Sequence, residues 1–369
     1  MGMIPNRITI FLEPTAACNL RCRHCYHADT GYDLKRMSEE TVLSFVDKLS
    51  LSHGNLRIVW HGGEPLLMGL DFFKKAYEIF EENSKKCQRV FEFDVQTNGT
   101  LIDEAYAEFF KQTNTTVSIS YDGPYNEVLR EETERTERAI ELLKSFEVKL
   151  VCISTISAQS IAHIVDIYEF FKEKKLDVKF NPVFESGAAR CNQEYVVSKE
   201  AWAEAFIQLF DYWLIDEDCN ICMVSCESIL RRFVDSDFSQ IGCPTSACIL
   251  QYLAVDAYGN LYPCARLIGQ DFLLCNIKDV VDVRQAYLMP KYETLKNQVI
   301  KRVSDCKACR WFSKCRGGCN ATARINGMIE NRNEFDCFFS NKVFPYLEKR
   351  LQNRGTIKNP RALEILNKV

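Results

Sequence analysis

The run Cys18-Asn-Leu-Arg-Cys22-Arg-His-Cys25 crowds three thiols together near the start of a 369-residue chain. At this C-x3-C-x2-C spacing, three thiolates can hold three irons of a 4Fe-4S cubane, and the fourth iron then has no ligand from the run. An open coordination position marks a catalytic metal rather than a closed structural one. A zinc ion completed by His24 or His27, or thiols that bind nothing, are the competing readings of the same residues. Further on, Cys243-x4-Cys248, Tyr262-Pro263-Cys264, Cys306-x2-Cys309-x5-Cys315-x3-Cys319 and Cys337 supply eight more cysteines. Eight thiolates satisfy two fully ligated cubanes, and a pair of structural zinc sites is the alternative.

Other residues could bind a small molecule beside an open iron. His61-Gly62-Gly63-Glu64-Pro65 joins two glycines, which let the backbone approach a ligand closely, to a carboxylate that can pair with an ammonium group. Taken alone, Gly-Gly-Glu-Pro is also an ordinary turn. The segments around Asn98 and Ser120 carry short amide and hydroxyl side chains that can bond a ribose or form local turns. Arg130 could reach a carboxylate. His61 is a candidate base, with a packing or hydrogen-bonding role as the plain alternative. Cys87 and Cys152 read as small buried hydrophobes, and Cys219-x2-Cys222-x3-Cys226 as ordinary thiols where a strand enters a helix. A thiol at a substrate cavity, Cys275 included, could also give a hydrogen atom to a carbon radical.

Those residues need a scaffold, and the hydrophobic pattern supplies one. Short apolar runs over 8–12, 57–60, 91–96, 117–121, 150–155 and 178–183 read as strands. Between them, amphipathic stretches over 38–47, 70–82, 102–111, 133–144 and 161–174 read as helices, the first opening at Ser38 with a capping-box-like start. A longer helix is expected over 198–215. This is the rhythm of βα units around a parallel sheet, an α/β chain forming a partial (β/α)6 TIM-like barrel whose reactive groups belong on loops at the C-terminal ends of the strands. After about Gly242 the rhythm gives way to cysteines, glycines and polar turns. A smaller domain held together by metal is expected there. The expected limits are 1–230 for the barrel, 231–347 for the Cys-rich domain and 348–369 for a tail.

With the cysteine triplet on the first βα loop and the Gly-Gly-Glu-Pro turn after the second strand, the chain resembles the radical SAM superfamily. Members bind S-adenosylmethionine at the open iron and cleave it reductively to a 5'-deoxyadenosyl radical, with the cofactor carrying the hard chemistry. The resemblance implies that Cys18, Cys22 and Cys25 hold the catalytic cluster. It implies that Gly62, Gly63 and Glu64 bind the cofactor's amino group, that Asn98 and Ser120 lie near its sugar or methionine part, and that Arg130 meets its carboxylate. His24 departs from the family, which has an aromatic residue before the last cysteine. The run Cys-Lys-Ala-Cys-Arg-Trp-Phe-Ser-Lys-Cys-Arg-Gly-Gly-Cys resembles the SPASM domain of peptide-modifying members. That likeness implies one auxiliary cluster on Cys243, Cys248, Cys264 and Cys319, and a second on Cys306, Cys309, Cys315 and Cys337.

Three 4Fe-4S clusters, S-adenosylmethionine, a peptide or protein substrate and an electron donor such as ferredoxin or flavodoxin are therefore expected. The leading expectation is oxidative modification of a residue in a ribosomally made peptide, forming a crosslink or thioether. The first alternative is an anaerobic sulfatase-maturating enzyme that forms formylglycine. Relatives with that activity place an Asp directly after Tyr-Pro-Cys, where this chain has Ala265. A non-catalytic electron-transfer protein is the third reading, and neither an open-site triplet nor a Gly-Gly-Glu-Pro turn has a purpose in it. With 46 basic and 50 acidic residues spread along the chain, no basic stripe suits nucleic acid. No long apolar stretch or basic, apolar export signal is present, so a cytoplasmic protein with no membrane partner is expected. In a reducing compartment, 18 cysteines point to metal chemistry rather than disulfides.

Overall fold

The computed structural model describes residues 8–31, 33–49, 56–234, 243, 245–325 and 327–367. The strands among them are β1 (Ile8–Leu12), β2 (Leu56–Trp60), β3 (Phe91–Thr97), β4 (Thr116–Ser120), β5 (Leu150–Ile156), β6 (Asp177–Pro182), β7 (Tyr252–Val255), β8 (Asn260–Tyr262) and β9 (Cys275–Asn276). All six strands expected from the apolar runs are present within a residue or so of their expected limits. The chain divides into two compact units, each assembled from separate stretches.

The first unit comprises the chain up to Ser120 together with Glu132–Leu150 and Ile249–Asn297. Its strands lie side by side in the order β4-β3-β2-β1-β7-β8-β9. From β4 to β7 every pairing is parallel, with Ile8 opposite Leu56, Leu56 opposite Phe91, Asp94 opposite Thr116 and Thr9 opposite Tyr252. Parallel pairing requires crossovers, and the helices Glu39–Asp47, Leu70–Cys87 and Glu104–Gln112 provide them. Buried Ile8, Ile10, Leu12, Leu56, Ile58 and Trp60 come from alternate positions of β1 and β2, the period of a strand. Trp60 packs edge-on against Phe73 of the Leu70–Cys87 helix at 5.3 Å. Ser38 caps the first helix by accepting the Thr41 N–H at 3.1 Å. The residue three positions on is Thr41 itself, and its hydroxyl meets Ser38 at 2.9 Å where a full capping box would place a carboxylate.

Strands β7 to β9 were not legible in the sequence. The hydrophobic run of β7 is short and flanked by turns, and it becomes a strand because it pairs with β1, followed by the antiparallel β8 and β9. The compact units therefore cut across the expected limits at 230 and 347.

The second unit comprises Tyr121–Glu131, Val151–Cys248 and Gln298–Val369. Here β5 and β6 pair in parallel, Val151 opposite Asp177. The expected helix at 198–215 runs over Lys199–Ile215, capped by Ser198, and packs against the helix Glu334–Gln352 through Phe206 and Phe339 at 5.1 Å. The terminal stretch expected as a tail forms a helix over Pro360–Leu366, which buries Ala362, Ile365 and Leu366. Among the described residues, no helix is long and apolar enough to cross a membrane.

Candidate cluster and cofactor site

The three cysteines of the N-terminal run lie on the loop after β1, at the C-terminal edge of the parallel strands. Burial above all, opposed by the backbone N–H of Leu20 and aided by nearby Glu64, Cys22 and Cys25, pushes the Cys18 thiol up to about 11. Thiols that resist ionisation to this degree become thiolates when a metal supplies the positive charge. The loop's shape is fixed locally, with Arg21 Nη1 donating to the Cys18 carbonyl at 2.7 Å and the Cys25 N–H donating to the Cys22 carbonyl at 3.1 Å.

The Gly62-Gly63-Glu64 turn after β2 is fastened directly to that loop. Gly63 N–H donates to the Thr15 carbonyl at 3.0 Å and Glu64 N–H to the Ala17 carbonyl at 2.8 Å. A Cβ on Gly63 would stand 2.2 Å from the Ala17 carbonyl oxygen, and one on Gly62 would stand 2.5 Å from that of Thr15. The two glycines therefore serve the approach of turn to loop, whereas the sequence suggested approach to a ligand.

Glu64 is 0 % exposed. Its Oε1 accepts the Leu66 N–H at 3.0 Å and the Thr97 hydroxyl at 2.8 Å, and its Oε2 accepts the Asn98 N–H at 2.8 Å. Burial nevertheless pushes its carboxyl up to about 7, because three neutral donors do not replace a full positive charge. A ligand ammonium would supply that charge.

Asn98 uses its side chain to tie loops together. Its Nδ2 donates to Asn19 Oδ1 at 2.9 Å and lies 3.9 Å from Cys18 Sγ, while its Oδ1 accepts from Thr100. Ser120, at the end of β4, accepts from Gln96 Nε2 at 2.9 Å. Arg130 lies in the second unit, where its Nε donates to Asp122 Oδ2 at 2.8 Å and its Nη2 donates to Thr155 Oγ1 at 3.1 Å. Asp122 also takes the Thr155 N–H at 2.6 Å. The guanidinium is thus held in a buried ion pair.

Beside the cluster loop the first unit gathers a group that the sequence reading did not assemble. Glu13, His27 and His61 bring one ligand-type atom each within 4.8 Å of one another. Glu13 is buried, its Oε1 has no hydrogen-bond partner among the described residues, and burial followed by the charge of Asp256 pushes its carboxyl well up. His61 accepts the Gly62 N–H on Nδ1 at 2.8 Å, which leaves its proton on Nε2, 3.4 Å from the Tyr26 hydroxyl. Burial lowers the His61 pKa to about 4, so the ring is neutral and faces Tyr26 as a donor. This tautomer also leaves no lone pair for a metal at Nε2. The position of Glu13, immediately after β1, was the available signal, since residues at the C-terminal ends of parallel strands are where chemistry concentrates in such folds.

In the second unit the C-terminal cysteines fall into neighbourhoods. Cys243 and Cys319 are in hydrogen-bond contact, with Cys248 acting on them electrically. Cys306 lies in the field of Cys337 and Cys309. Cys337 Sγ accepts from Arg332 Nη2 at 2.7 Å, Arg332 Nε at 3.0 Å and Asn341 Nδ2 at 3.3 Å. Cys315 and Cys319 flank three successive residues in left-handed conformation, Arg316, Gly317 and Gly318, with φ of 49°, 78° and 70°. Gly318 must be glycine twice over, because a Cβ there would stand 2.5 Å from Asp336 Oδ2, the atom that accepts the Cys319 N–H at 2.7 Å. Cys264 follows β8 in the first unit.

Tetrahedral zinc, with Zn–S of about 2.3 Å, draws its thiolates to roughly 4 Å of one another. Among the described residues no three cysteines approach within 4.8 Å, whereas a cubane spreads its thiolates over separate iron corners. The donor set therefore fits iron-sulfur clusters. The leftover thiols Cys222 and Cys226 are pushed up by burial, Cys222 to about 12, as ordinary thiols are.

Comparison with known proteins agrees with this geometry. The radical SAM superfamily matches residues 12–171. A cysteine-type anaerobic sulfatase-maturating enzyme of Clostridium perfringens is 28 % identical, covering 94 % of this chain and 98 % of the relative. A serine-type enzyme of Bacteroides thetaiotaomicron is 26 % identical over 84 % of this chain and 82 % of its own. The solved structure of native anSMEcpe with bound AdoMet and Cp18Cys peptide superposes with a TM-score of 0.80 at 26 % identity, covering 94 % of this chain and 98 % of that one. These relatives are sulfatase-maturating enzymes, so the first alternative of the sequence reading is better supported than the peptide-crosslinking expectation placed ahead of it. The chain carries a radical SAM domain with the parallel α/β fold of that superfamily, and its homologues are anaerobic sulfatase-maturating enzymes.

Proposed function

We propose that this protein oxidises the Cβ of a Cys or Ser within a peptide segment of a protein substrate, in the manner of its sulfatase-maturating relatives. The likeness that runs end to end through the C. perfringens structure, fold and cysteine-rich portion together, carries this reading. Cys18, Cys22 and Cys25 would hold the catalytic cluster. Cys243, Cys248, Cys264 and Cys319 would hold one auxiliary cluster, and Cys306, Cys309, Cys315 and Cys337 the other. S-adenosylmethionine, held beside that cluster, would supply a primary carbon radical able to take one hydrogen atom from the substrate.

The protein's own residues then have three tasks. Glu64 holds the cofactor's ammonium, and the Asn98 N–H and Thr97 hydroxyl orient that carboxylate. The turn, fastened to the loop through Gly63 and Glu64, would hold the cluster loop and the cofactor's carboxylate partner in one fixed arrangement. A base must take a proton, since oxidising a Cys side chain to a thioaldehyde removes one hydrogen atom, one electron and one proton, after which water replaces sulfur and hydrogen sulfide leaves. Relatives place an Asp after Tyr-Pro-Cys for that task, and Ala265 here is buried beside Ala254 and Tyr262. Two carboxyl groups serve this neighbourhood: Asp256, whose oxygens already accept from Tyr258, Asn260 and Tyr262, and Glu13, whose Oε1 has no partner among the described residues and which acts on Tyr26 together with Arg266 and Cys264. We assign the proton to Glu13. A ferredoxin or flavodoxin in the cytoplasm would reduce the catalytic cluster.

Ala265 also favours a second reading, in which the carbon radical closes onto a neighbouring residue to form a crosslink or thioether. Both readings are tested by incubating reconstituted enzyme, reductant and S-adenosylmethionine with a sulfatase-derived Cys peptide. Loss of two hydrogens together with replacement of sulfur by oxygen in the mass spectrum is the expected result. Loss of two hydrogens with sulfur retained would select the second reading, and an unmodified peptide alongside 5'-deoxyadenosine would reject this substrate class.

A further inference from the structure

A guanidinium is buried among the C-terminal cysteines with no carboxylate in contact among the described residues. Arg302, on the helix Pro290–Cys306, is 1 % exposed. Its Nη1 donates to the Ile329 carbonyl at 2.7 Å and its Nη2 to Asn320 Oδ1 at 2.5 Å, while the buried Nε–H has no acceptor among the described residues. Buried Arg130, by contrast, has the Asp122 carboxylate in contact. An unpaired buried charge costs several kcal/mol, so the folded chain must offset it with negative charge held nearby. The groups that oppose the burial of Arg302 are, in decreasing order, Cys319, Asp336, Cys306 and Cys248. Three of the four are cysteines. Asn320 extends the link, since the amide that takes Nη2 donates its own Nδ2 to Cys248 Sγ at 3.4 Å.

We propose that Arg302 is a shared counter-charge for both C-terminal iron-sulfur clusters, holding each at a higher reduction potential than a neutral residue would. The inference rests on the cluster reading above, in which Cys248 and Cys319 belong to one set and Cys306 to the other. Each cluster gains one negative charge when it takes one electron, and a fixed cation in a water-poor interior stabilises that form. Such clusters act as electron acceptors, which the second electron of the proposed substrate oxidation requires. Arg302 is a tuning residue. It touches no substrate.

The test is an EPR-monitored redox titration of the reconstituted wild type, Arg302→Met and Arg302→Lys, with iron counted in each. Arg302→Met is expected to lower both auxiliary midpoints by at least a tenfold change in the reduced-to-oxidised ratio at fixed potential, about 59 mV for one electron. Arg302→Lys should stay near wild type. Loss of iron from the Met variant alone would also support a counter-charge. Full iron with unchanged midpoints in Arg302→Met would overturn the inference, as would loss of iron from both variants, since shape rather than charge would then matter. Wild-type protein with iron for one cluster only would overturn the cluster reading itself, and this inference with it.

Discussion

The backbone N–H of Asn98 donates to Oε2 of Glu64 at 2.8 Å, so the end of the third strand holds the carboxylate that follows the second. Glu64 shifts from 4.5 to about 7 on burial. A carboxyl whose folded pKa is raised contributes its full stability below the unfolded value and loses it as pH rises through the folded one. The cofactor-free protein should therefore weaken between about pH 4.5 and 7, by on the order of 3 kcal/mol. Binding of an ammonium ligand restores the ionised form and should release a proton at pH 6. Calorimetry in two buffers of different ionisation enthalpy measures this, and Glu64→Gln should bind weakly with no proton released. Equal proton release from the Gln variant would remove Glu64 from the site.

Gly63→Ala should unfasten the turn from the cluster loop. Its Cβ would stand 2.2 Å and 2.4 Å from two backbone carbonyl oxygens, which cannot move as a flexible side chain can. A loss of about 4 kcal/mol and of the N-terminal cluster's iron is expected, read by thermal melting and iron assay. Gly31→Ala, at φ 73° with no heavy atom within 4 Å, isolates conformational strain and should cost only about 1 kcal/mol.

Reconstituted protein should carry about twelve irons, and replacing Cys18, Cys22 and Cys25 together by Ala should remove about four and abolish S-adenosylmethionine cleavage. Cleavage that survives the triple substitution would place the catalytic cluster elsewhere.

Glu13→Gln keeps the size of the side chain and removes its basicity. If Glu13 takes the proton, the variant should still cleave S-adenosylmethionine while product per 5'-deoxyadenosine falls by about 100-fold, the range of one positioned base. Undiminished coupling would reassign the proton.

The strands from β1 to β6 and the cluster loop were legible because local pattern and local spacing determine them. Ile8, Ile10 and Leu12 alternate as a half-buried strand must, and Cys18, Cys22 and Cys25 lie close in sequence. What the sequence hid depends on partners far along the chain. Strand β7 exists because β1 offers it an edge. Glu13, His27 and His61 meet only after two strand ends are brought side by side, and Arg302 reads as a surface residue until its burial is seen. The close approach expected of Gly62 and Gly63 is made to the cluster loop, a neighbour that only the fold reveals.

The left-handed run from Arg316 to Gly318 acts as a divider. In a continuous helix, thiols four positions apart stand one above the other on one face and would compete for the same ion. Three residues of opposite hand halt the Phe312–Cys315 helix and set Cys319 on a new path, beside Cys243, while Cys315 keeps Ser340 as its neighbour. In the proposed assignment this lets one short stretch serve two clusters, and because a Cβ at Gly318 would stand 2.5 Å from the carboxylate that holds the Cys319 N–H, the separation of the two thiols rests on a missing methyl group.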